Sequence, residues 1–260
     1  MHPATATATA LRPLPAELTA GYRRDGFCVV RGLLTAEECG SYRAECLRLC
    51  GESDLLRNKE GSKYRQALIQ RVNVWRDSPL MARLTLHRQL TAWATALAGE
   101  PLRLWHDHIL AKAPRNGVPT EFHQDQPYWP HRTSPQPISA WIALQDVPVE
   151  RGCMSFIPGS NRRTDLRSTD LTDAGGLFAL CPELAYEPRV TIPLKAGDVT
   201  FHHGRTAHRA NANDTDDYRV AHTVIYMPRT TTFSGTGHCV TDGQGFAEGQ
   251  VLAGELFPEV

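Results

Sequence analysis

The sequence predicts a mainly β (α+β) protein, in which a helical N-terminal part is followed by an all-β sandwich or barrel. Helix start and stop signals fill roughly the first hundred residues. From Leu102 onward, short runs of β-branched and aromatic residues are separated by Pro, Gly, Asn and Asp clusters. A third observation is exclusionary: neither a βαβ alternation nor a glycine-rich phosphate loop is present, which argues against a Rossmann or P-loop protein.

The chain begins with a low-complexity Thr-Ala repeat, so residues 1–14 are predicted to be a flexible tail. Residues 15–260 are predicted to form a single domain, because 260 residues suit one large domain with a sizeable core. Within it we expect a helical part at about 15–100, a β core at about 101–230 and a C-terminal extension at 231–260.

Local signals define the individual helices. Thr35 followed three residues later by Glu38 is a capping box, in which each residue satisfies a backbone N–H near the other. Glycines mark helix ends because they adopt the left-handed conformation without strain. On these signals, helices are predicted from Pro15 to Asp25, from Thr35 to about Cys50, after Ser78-Pro79 and from near His87 to Ala98, with a strand at Phe27 to Arg31.

The predicted strands of the β core are apolar or alternating runs bounded by turn residues. A long polar stretch from Asn161 to about Gly176 interrupts them and is predicted to be a surface loop. The strands are expected at Leu102 to Lys112, Ile138 to Leu144, Val190 to Leu194, Val199 to His203 and Tyr218 to Met227.

Composition excludes several classes of partner. With 28 basic and 28 acidic side chains, the chain has no basic excess, so neither nucleic acid nor a membrane surface is an expected partner. No apolar stretch approaches the roughly 20 residues that span a bilayer. Seven cysteines without a C-x-x-C pair and the lack of a secretory signal favour a cytoplasmic protein, expected to be a monomer or small homo-oligomer.

Two separated motifs carry the chemistry. In Phe122-His123-Gln124-Asp125 a His and a carboxylate stand at i and i+2, which places both on one face of a strand as a two-point metal clamp. Such a pair is frequent by chance, and a hydrogen-bonded pair at a strand end is the alternative. A third ligand is offered by His202, His203 or His208, all in the later segment that contains Phe201-His202-His203-Gly204.

Two imidazoles and one carboxylate form the facial set of non-haem Fe(II) oxygenases, which leaves coordination positions open. Arg219, eleven residues after His208, supplies a planar fork able to hold the far carboxylate of a dicarboxylic co-substrate. The offsets of Asn213 and Arg219 favour His208 over its two competitors as the third ligand. His222 alternates to the opposite face from Arg219 and is expected to be a packing residue.

With these motifs the sequence resembles the phytanoyl-CoA dioxygenase-like family of Fe(II)/2-oxoglutarate-dependent oxygenases. The resemblance covers roughly Phe27 to the C-terminus. Its matching stretches are LeuTrpHisAspHisIleLeuAlaLys at 104–112, HisGlnAspGlnProTyrTrpPro at 123–130, Trp141, GlyCysMetSerPheIleProGlySer at 152–160, GlyAspValThrPheHisHisGly at 197–204, and His208, Asn213 and Arg219.

The resemblance implies a double-stranded β-helix, a jelly-roll or cupin-like core, with helices packed on one face, mostly from the N-terminal third. It implies iron ligation by one residue set, His123, Asp125 and His208. It also implies that Arg219 binds the distal carboxylate of 2-oxoglutarate, with Trp141 and His108 at the co-substrate pocket and Gln70 or Arg71 loosely aligned there. Ala210 stands where many members have a serine that binds the co-substrate, so another donor is needed.

A substrate cavity is expected beside the metal motif. Tyr128 and Trp129 follow it among prolines, on a predicted loop, and with Gln124 and Trp105 they are the candidate substrate residues. An ordinary place in the barrel core is the alternative for Trp105.

The predicted function is that of a dioxygenase that hydroxylates or otherwise oxidises a C–H bond of a small molecule, using Fe(II), 2-oxoglutarate and O2 and releasing succinate and CO2. In the related halogenases a Gly or Ala replaces the carboxylate, so Asp125 favours hydroxylation. Arginine-rich, lysine-poor composition is typical of high-GC bacteria and suggests natural-product tailoring. A cupin-type metal hydrolase or isomerase and a non-catalytic 2-oxoglutarate-binding protein are the alternatives.

Overall fold

The computed structural model describes residues 10–56 and 67–260. Its strands, in chain order, are β1 (Phe27–Val30), β2 (Ile69–Val72), β3 (Leu102–Lys112), β4 (Thr120–His123), β5 (His131–Thr133), β6 (Ile138–Ala143), β7 (Met154–Phe156), β8 (Val190–Ile192), β9 (Val199–His203), β10 (His208–Ala210), β11 (Arg219–Pro228) and β12 (Thr232–Phe233). The helices are α1 (Ala16–Asp25), α2 (Ala36–Glu52), α3 (Pro79–Thr85), α4 (Arg88–Ala98) and the short α5 (Gly176–Leu180).

Two antiparallel sheets form the core. The larger has the order β1-β9-β6-β11-β3-β2 and the smaller the order β4-β10-β7-β8, so neighbours in space are distant in sequence. The sheets face one another through apolar side chains, for example Phe27 of β1 stacked on Phe156 of β7 at 4.5 Å between ring centroids. This arrangement confirms the predicted jelly-roll, cupin-like fold.

The helices cover the outer face of the larger sheet because strand residues alternate between two apolar environments. On β11, Val220 and Val224 join the helix-facing core that contains Leu90 and Trp93 of α4, whereas Ala221 faces the space between the sheets. His222, on the helix side, is fully buried within 2.9 Å of Thr85 Oγ1, which confirms its predicted packing role. Strand β11 therefore contributes side chains both to the core beneath the helices and to the core between the sheets.

The predicted helix signals are confirmed in detail. Thr35 Oγ1 accepts a hydrogen bond from the backbone N–H of Glu38, and the Glu38 carboxylate accepts one from the N–H of Thr35. Gly26 ends α1 in the left-handed conformation, with φ of 82°. Its backbone N–H donates to the carbonyl oxygen of Tyr22, as is usual at a helix C-cap.

The N-terminal segment differs from the predicted tail. Arg12 is fixed on α4: its backbone N–H donates to the Gln89 side chain at 2.6 Å, its carbonyl accepts from Trp93 Nε1 at 2.9 Å, and its guanidinium lies 4.9 Å from the Trp93 ring centroid. The prediction of a flexible tail through residue 14 is therefore wrong at Arg12, while residues 1–9 lie outside the described residues. Backbone and aromatic contacts, which composition does not reveal, hold this segment.

The C-terminal extension packs on one end of the barrel. Strand β12 pairs with β5, and Phe257 and Leu252 join a buried cluster with Trp105 and Ile225 of the core strands. Within residues 10–56 and 67–260, no helix combines the length and apolar character that crossing a membrane requires.

Candidate metal centre and co-substrate pocket

Three side chains converge at one end of the smaller sheet. His123 closes β4 and His208 opens β10, and the two are direct cross-strand partners. Asp125 follows β4, with Oδ1 lying 3.3 Å from His123 Nε2 and 3.6 Å from His208 Nε2. The three possible ligand atoms lie within 4.8 Å of one another. The fold thus brings together the three residues predicted as metal ligands.

Both imidazoles are oriented to offer a lone pair to a metal. His123 Nδ1 donates to the Glu121 carbonyl at 2.7 Å, and His208 Nδ1 donates to the Thr206 carbonyl at 2.9 Å. A ring nitrogen that donates to a carbonyl carries a proton, so in the neutral imidazole the lone pair is on Nε2, the atom that faces Asp125. Burial lowers the pKa of His208 to about 3, which keeps the ring neutral. This donor set fits Fe(II).

The second oxygen of Asp125 is held by neighbours that the sequence analysis did not assign. Ser139 Oγ donates to Asp125 Oδ2 at 3.3 Å, and His202 Nε2 lies 3.3 Å from the same atom. His203 points elsewhere, with Nε2 3.0 Å from the Pro135 carbonyl. Of the three competing histidines, His208 therefore joins the ligand cluster, His202 contacts the carboxylate and His203 stabilises a loop.

A cavity of about 400 Å³ opens at the cluster and contains all three possible ligands. At one end lies Arg219, which is 1% exposed and has its guanidinium carbon 5.5 Å from the Trp141 ring centroid. Its Nη1 donates to the Leu110 carbonyl at 3.2 Å, whereas Nε has no hydrogen-bond partner. Among the described residues, no carboxylate forms an ion pair with Arg219.

Burial lowers the pKa of Arg219 to about 10, so the guanidinium stays charged at neutral pH. An unpaired buried charge is costly, and an arginine fork matches a carboxylate with two parallel hydrogen bonds. This end of the cavity is therefore suited to bind an anionic group.

The residue beside Ala210 offers the hydroxyl that Ala210 lacks. Thr120 of β4 is the cross-strand partner of Ala210, and both line the cavity. The buried Oγ1 of Thr120 has no hydrogen-bond partner in the described part of the chain. Sequence reasoning missed Thr120, although a hydroxyl residue on the strand that leads into the His-x-Asp motif was a usable signal.

Neutral imidazoles form part of the opposite wall. His108 Nδ1 lies 2.7 Å from Gln70 Nε2, and burial lowers the pKa of His108 to about 4. His106 lies next to it, with ring centroids 5.1 Å apart, and His238 of the C-terminal extension is 6.0 Å from His106. Burial lowers the pKa of both His106 and His238. His106 and His238 were not predicted as site residues, because only folding brings them together.

The candidate substrate residues separate into two pairs. Tyr128 and Trp129 line the cavity, as expected from their position after the metal motif. Trp105 does not: it is fully buried in the C-terminal cluster, stacked on Phe257 at 5.2 Å between ring centroids. Trp105 therefore occupies the place in the core that the sequence left open as its alternative, because residues 231–260 pack over this end of the barrel.

Gln124 is likewise not part of the cavity lining. Gln124 directly follows the end of β4 at His123, and its side chain points away from the cavity. There Nε2 donates to the carbonyl oxygens of Ser160, Arg163 and Arg205, at 3.3, 3.2 and 2.6 Å. In this structure Gln124 connects three loop segments to the motif and does not line the cavity where a substrate contact was expected.

Comparison with known proteins decides the family. A family model described as phytanoyl-CoA dioxygenase (PhyH) matches residues 22–221. The chain belongs to the PhyH family. This confirms the resemblance that the motifs at 123–130 and 197–204 had indicated.

Curated PhyH relatives are distant in sequence. The mouse peroxisomal phytanoyl-CoA dioxygenase is 24% identical over 218 residues, which cover 77% of this chain and 64% of the relative. A probable phytanoyl-CoA dioxygenase of Caenorhabditis elegans is 24% identical over 229 residues, covering 80% and 73%. The chain thus spans less than two thirds of the length of the mouse relative.

Two solved structures are more similar in sequence than these curated relatives. The non-haem α-ketoglutarate-dependent carbocyclase SnoK from nogalamycin biosynthesis is 35% identical with a TM-score of 0.84, and the match covers 95% of this chain and 96% of that one. The epimerase SnoN of the same biosynthesis is 38% identical with a TM-score of 0.76, covering 94% and 97%. SnoN has also been solved in complex with Fe3+, α-ketoglutarate and nogalamycin RO.

Proposed function

We propose that this PhyH-family protein is an Fe(II)/2-oxoglutarate-dependent dioxygenase that oxidises a C–H bond of a small natural product and releases succinate and CO2. The observation that carries the proposal is that one cavity contains both a facial His-Asp-His set and an unpaired buried guanidinium at its end. A hydrolase or isomerase needs the metal ligands but has no use for a buried guanidinium that binds a dicarboxylate in the same cavity.

Bound iron and 2-oxoglutarate together would supply an oxidant, made from O2, that removes a hydrogen atom from the substrate. The protein's own contribution is to position the metal and the co-substrate and to exclude water from the site. His123, Asp125 and His208 would hold the metal, and Ser139 and His202 occupy the second oxygen of Asp125, which favours ligation through one oxygen and leaves more positions open.

The co-substrate end is built for a dicarboxylate. Arg219 would hold the distal carboxylate through two hydrogen bonds, and the unpaired hydroxyl of Thr120 would take the place of the serine absent at Ala210. The Trp141 ring packs against the guanidinium, with 5.5 Å between the guanidinium carbon and the ring centroid. His108, fixed by Gln70, borders this region and the substrate space.

The substrate end favours an uncharged molecule. Its lining includes Tyr128, Trp129, His106 and His238, and Asp125 and Arg219 are the cavity's only carboxylate and guanidinium among the described residues. A coenzyme A thioester carries phosphates that need basic partners, which this lining does not offer. The similarity to SnoK and SnoN supports a natural-product substrate.

We also propose a cellular location and an oligomeric state for the protein. All seven cysteines are free thiols, which suits a reducing cytoplasm. The zero net charge supports a protein without nucleic-acid or membrane partners, acting as a monomer or small homo-oligomer.

The test combines binding and turnover. Anaerobic protein with Fe(II) and 2-oxoglutarate should show a weak visible charge-transfer band, and should release succinate when O2 and a natural-product library are added. His123→Ala should lose both signals. His87→Asn is the matched control, because His87 caps α4 far from the metal and Asn retains N-cap ability.

Two results would contradict the proposal. Turnover that does not depend on oxygen would favour the hydrolase or isomerase alternative. Tight 2-oxoglutarate binding without succinate release under any substrate screen would favour a non-catalytic binding protein.

A further inference from the structure

A second buried basic side chain lies next to the carboxylate anchor Arg219. Lys112, the last residue of β3, is the direct cross-strand partner of Arg219 on β11. Directly opposed residues share a face of the sheet, with β-carbons about 5 Å apart. Since Arg219 lines the cavity between the sheets, Lys112 lies on the same inner side, and it is fully buried.

Lys112 has little to compensate its charge. The described part of the chain provides Nζ with one hydrogen bond, to the Val118 carbonyl at 2.9 Å, and with no ion pair. The charged groups that act on it are Arg219 on β11, Arg209 on β10 and Glu121 on β4. Glu121 lies 3.8 Å from Arg209, so its negative charge is already partly compensated by the Arg209 guanidinium.

Burial, followed by the neighbouring Arg219 and Arg209, lowers the pKa of Lys112 to about 6. At neutral pH the ammonium form is therefore the minor one in the free protein. A carboxylate held by Arg219 would reverse the balance of charge around Lys112, because an anion close to a buried amine stabilises its protonated form.

We propose that Lys112 is a charge partner of the co-substrate site that takes up a proton when the distal carboxylate of 2-oxoglutarate binds Arg219. The free cavity then avoids holding two buried cations, and the occupied cavity gains a second one. Co-substrate affinity is consequently coupled to pH: above pH 6 each unit of pH weakens binding by up to about tenfold, because a proton must be taken from solvent.

The inference rests on the proposed function, and titration calorimetry separates the two. Full-length protein loaded with Mn(II) is titrated with 2-oxoglutarate at pH 7.5, in buffers of different ionisation enthalpy, which yields the number of protons taken up. We expect about one proton per molecule bound. The probe 2-oxopentanoate, which has the same keto-acid head without the distal carboxylate, should take up almost none.

Two variants identify the group. Lys112→Met should bind 2-oxoglutarate with almost no proton uptake, and Lys112→Arg, which keeps a permanent charge, should show affinity that is nearly independent of pH from 6.5 to 8.5. Circular dichroism and Mn(II) stoichiometry check that both variants fold. If Lys112→Met does not fold, the pH dependence of 2-oxoglutarate affinity in Lys112→Arg is the test.

The proposal is overturned by equal proton uptake in wild-type protein and the folded variants, or by equal uptake with the two keto acids. Binding of 2-oxoglutarate without any proton uptake overturns this inference alone. The absence of 2-oxoglutarate binding overturns the proposed function and this inference together.

Discussion

Asp107 provides a stability prediction that depends on pH. It is fully buried on the helix side of β3, where Oδ2 accepts a hydrogen bond from the Trp75 backbone N–H at 3.0 Å and lies 2.6 Å from Thr85 Oγ1. Oδ1 has no partner, and His222 Nε2 lies 3.5 Å from Oδ2. Burial raises the pKa of Asp107 to about 7 and lowers that of His222 to about 3, so the pair carries little charge in acid solution.

The raised pKa sets the sign of the effect. Between about pH 4 and 7 the folded protein retains a proton that the unfolded chain has released, so stability falls as pH rises through this window. The shift from 3.8 to about 7 corresponds to about 4 kcal/mol in the free energy of unfolding, at 1.36 kcal/mol per pKa unit. Integration of the linkage relation places about 2.5 kcal/mol of it between pH 5 and 8.

The perturbation is Asp107→Asn, which keeps the shape and removes the titration. Urea unfolding followed by tryptophan fluorescence, with EDTA present, gives the free energy of unfolding of both proteins at pH 5, 6.5 and 8. Relative to wild type, the variant should gain about 2.5 kcal/mol between pH 5 and pH 8. Asp214→Asn, at an exposed carboxylate, is the control. Parallel profiles for wild type and Asp107→Asn would refute the reasoning.

Three further perturbations test the site and the packing. Thr120→Val should raise the KM for 2-oxoglutarate about tenfold by removing one hydrogen bond to a charged group, measured as succinate release, and Ala210→Ser in that background should recover part of it; an unchanged KM would contradict the role of Thr120. Trp105→Ala should cost about 3–5 kcal/mol of stability because a fully buried ring is lost, and a cost below about 1 kcal/mol in urea unfolding would contradict its packing role. Gly197→Ala should lower stability by more than about 1 kcal/mol, since φ is 85° and the added β-carbon would meet the Leu34 carbonyl oxygen; an unchanged melting temperature would contradict this.

Much of the framework was predictable because its causes are local. The capping box at Thr35 and the glycine at 26 act within one helical turn, and both form as predicted. Alternation along the chain predicted β3 with the bounds Leu102–Lys112 that the structure shows. The His-x-Asp motif was predicted to lie on one strand, but β4 ends at His123 and Asp125 lies in the turn that follows, where its carboxylate still faces His123 and His208.

What the sequence could not predict depends on distant segments. His202 reaches Asp125 across 77 positions, and His238 reaches the cavity only because the C-terminal extension packs on the barrel. The same packing buries Trp105, which sequence alone could not distinguish from a cavity wall. Gln124 was predicted as a site residue because its neighbours are, yet it follows the end of β4 and its side chain bonds to loop carbonyls instead.

The possible iron ligands and the C-terminal cavity residues lie in different parts of the chain. The matched family region ends at residue 221, after all three possible iron ligands and Arg219, whereas His238 and Cys239 enter the cavity from residues 231–260. Replacement of that short terminal stretch would therefore change the cavity lining at His238 and Cys239 and leave the three possible iron ligands and Arg219 in the sequence. If the proposed function holds, exchange of C-terminal segments between PhyH-family proteins should change substrate preference while the three possible iron ligands and Arg219 are retained.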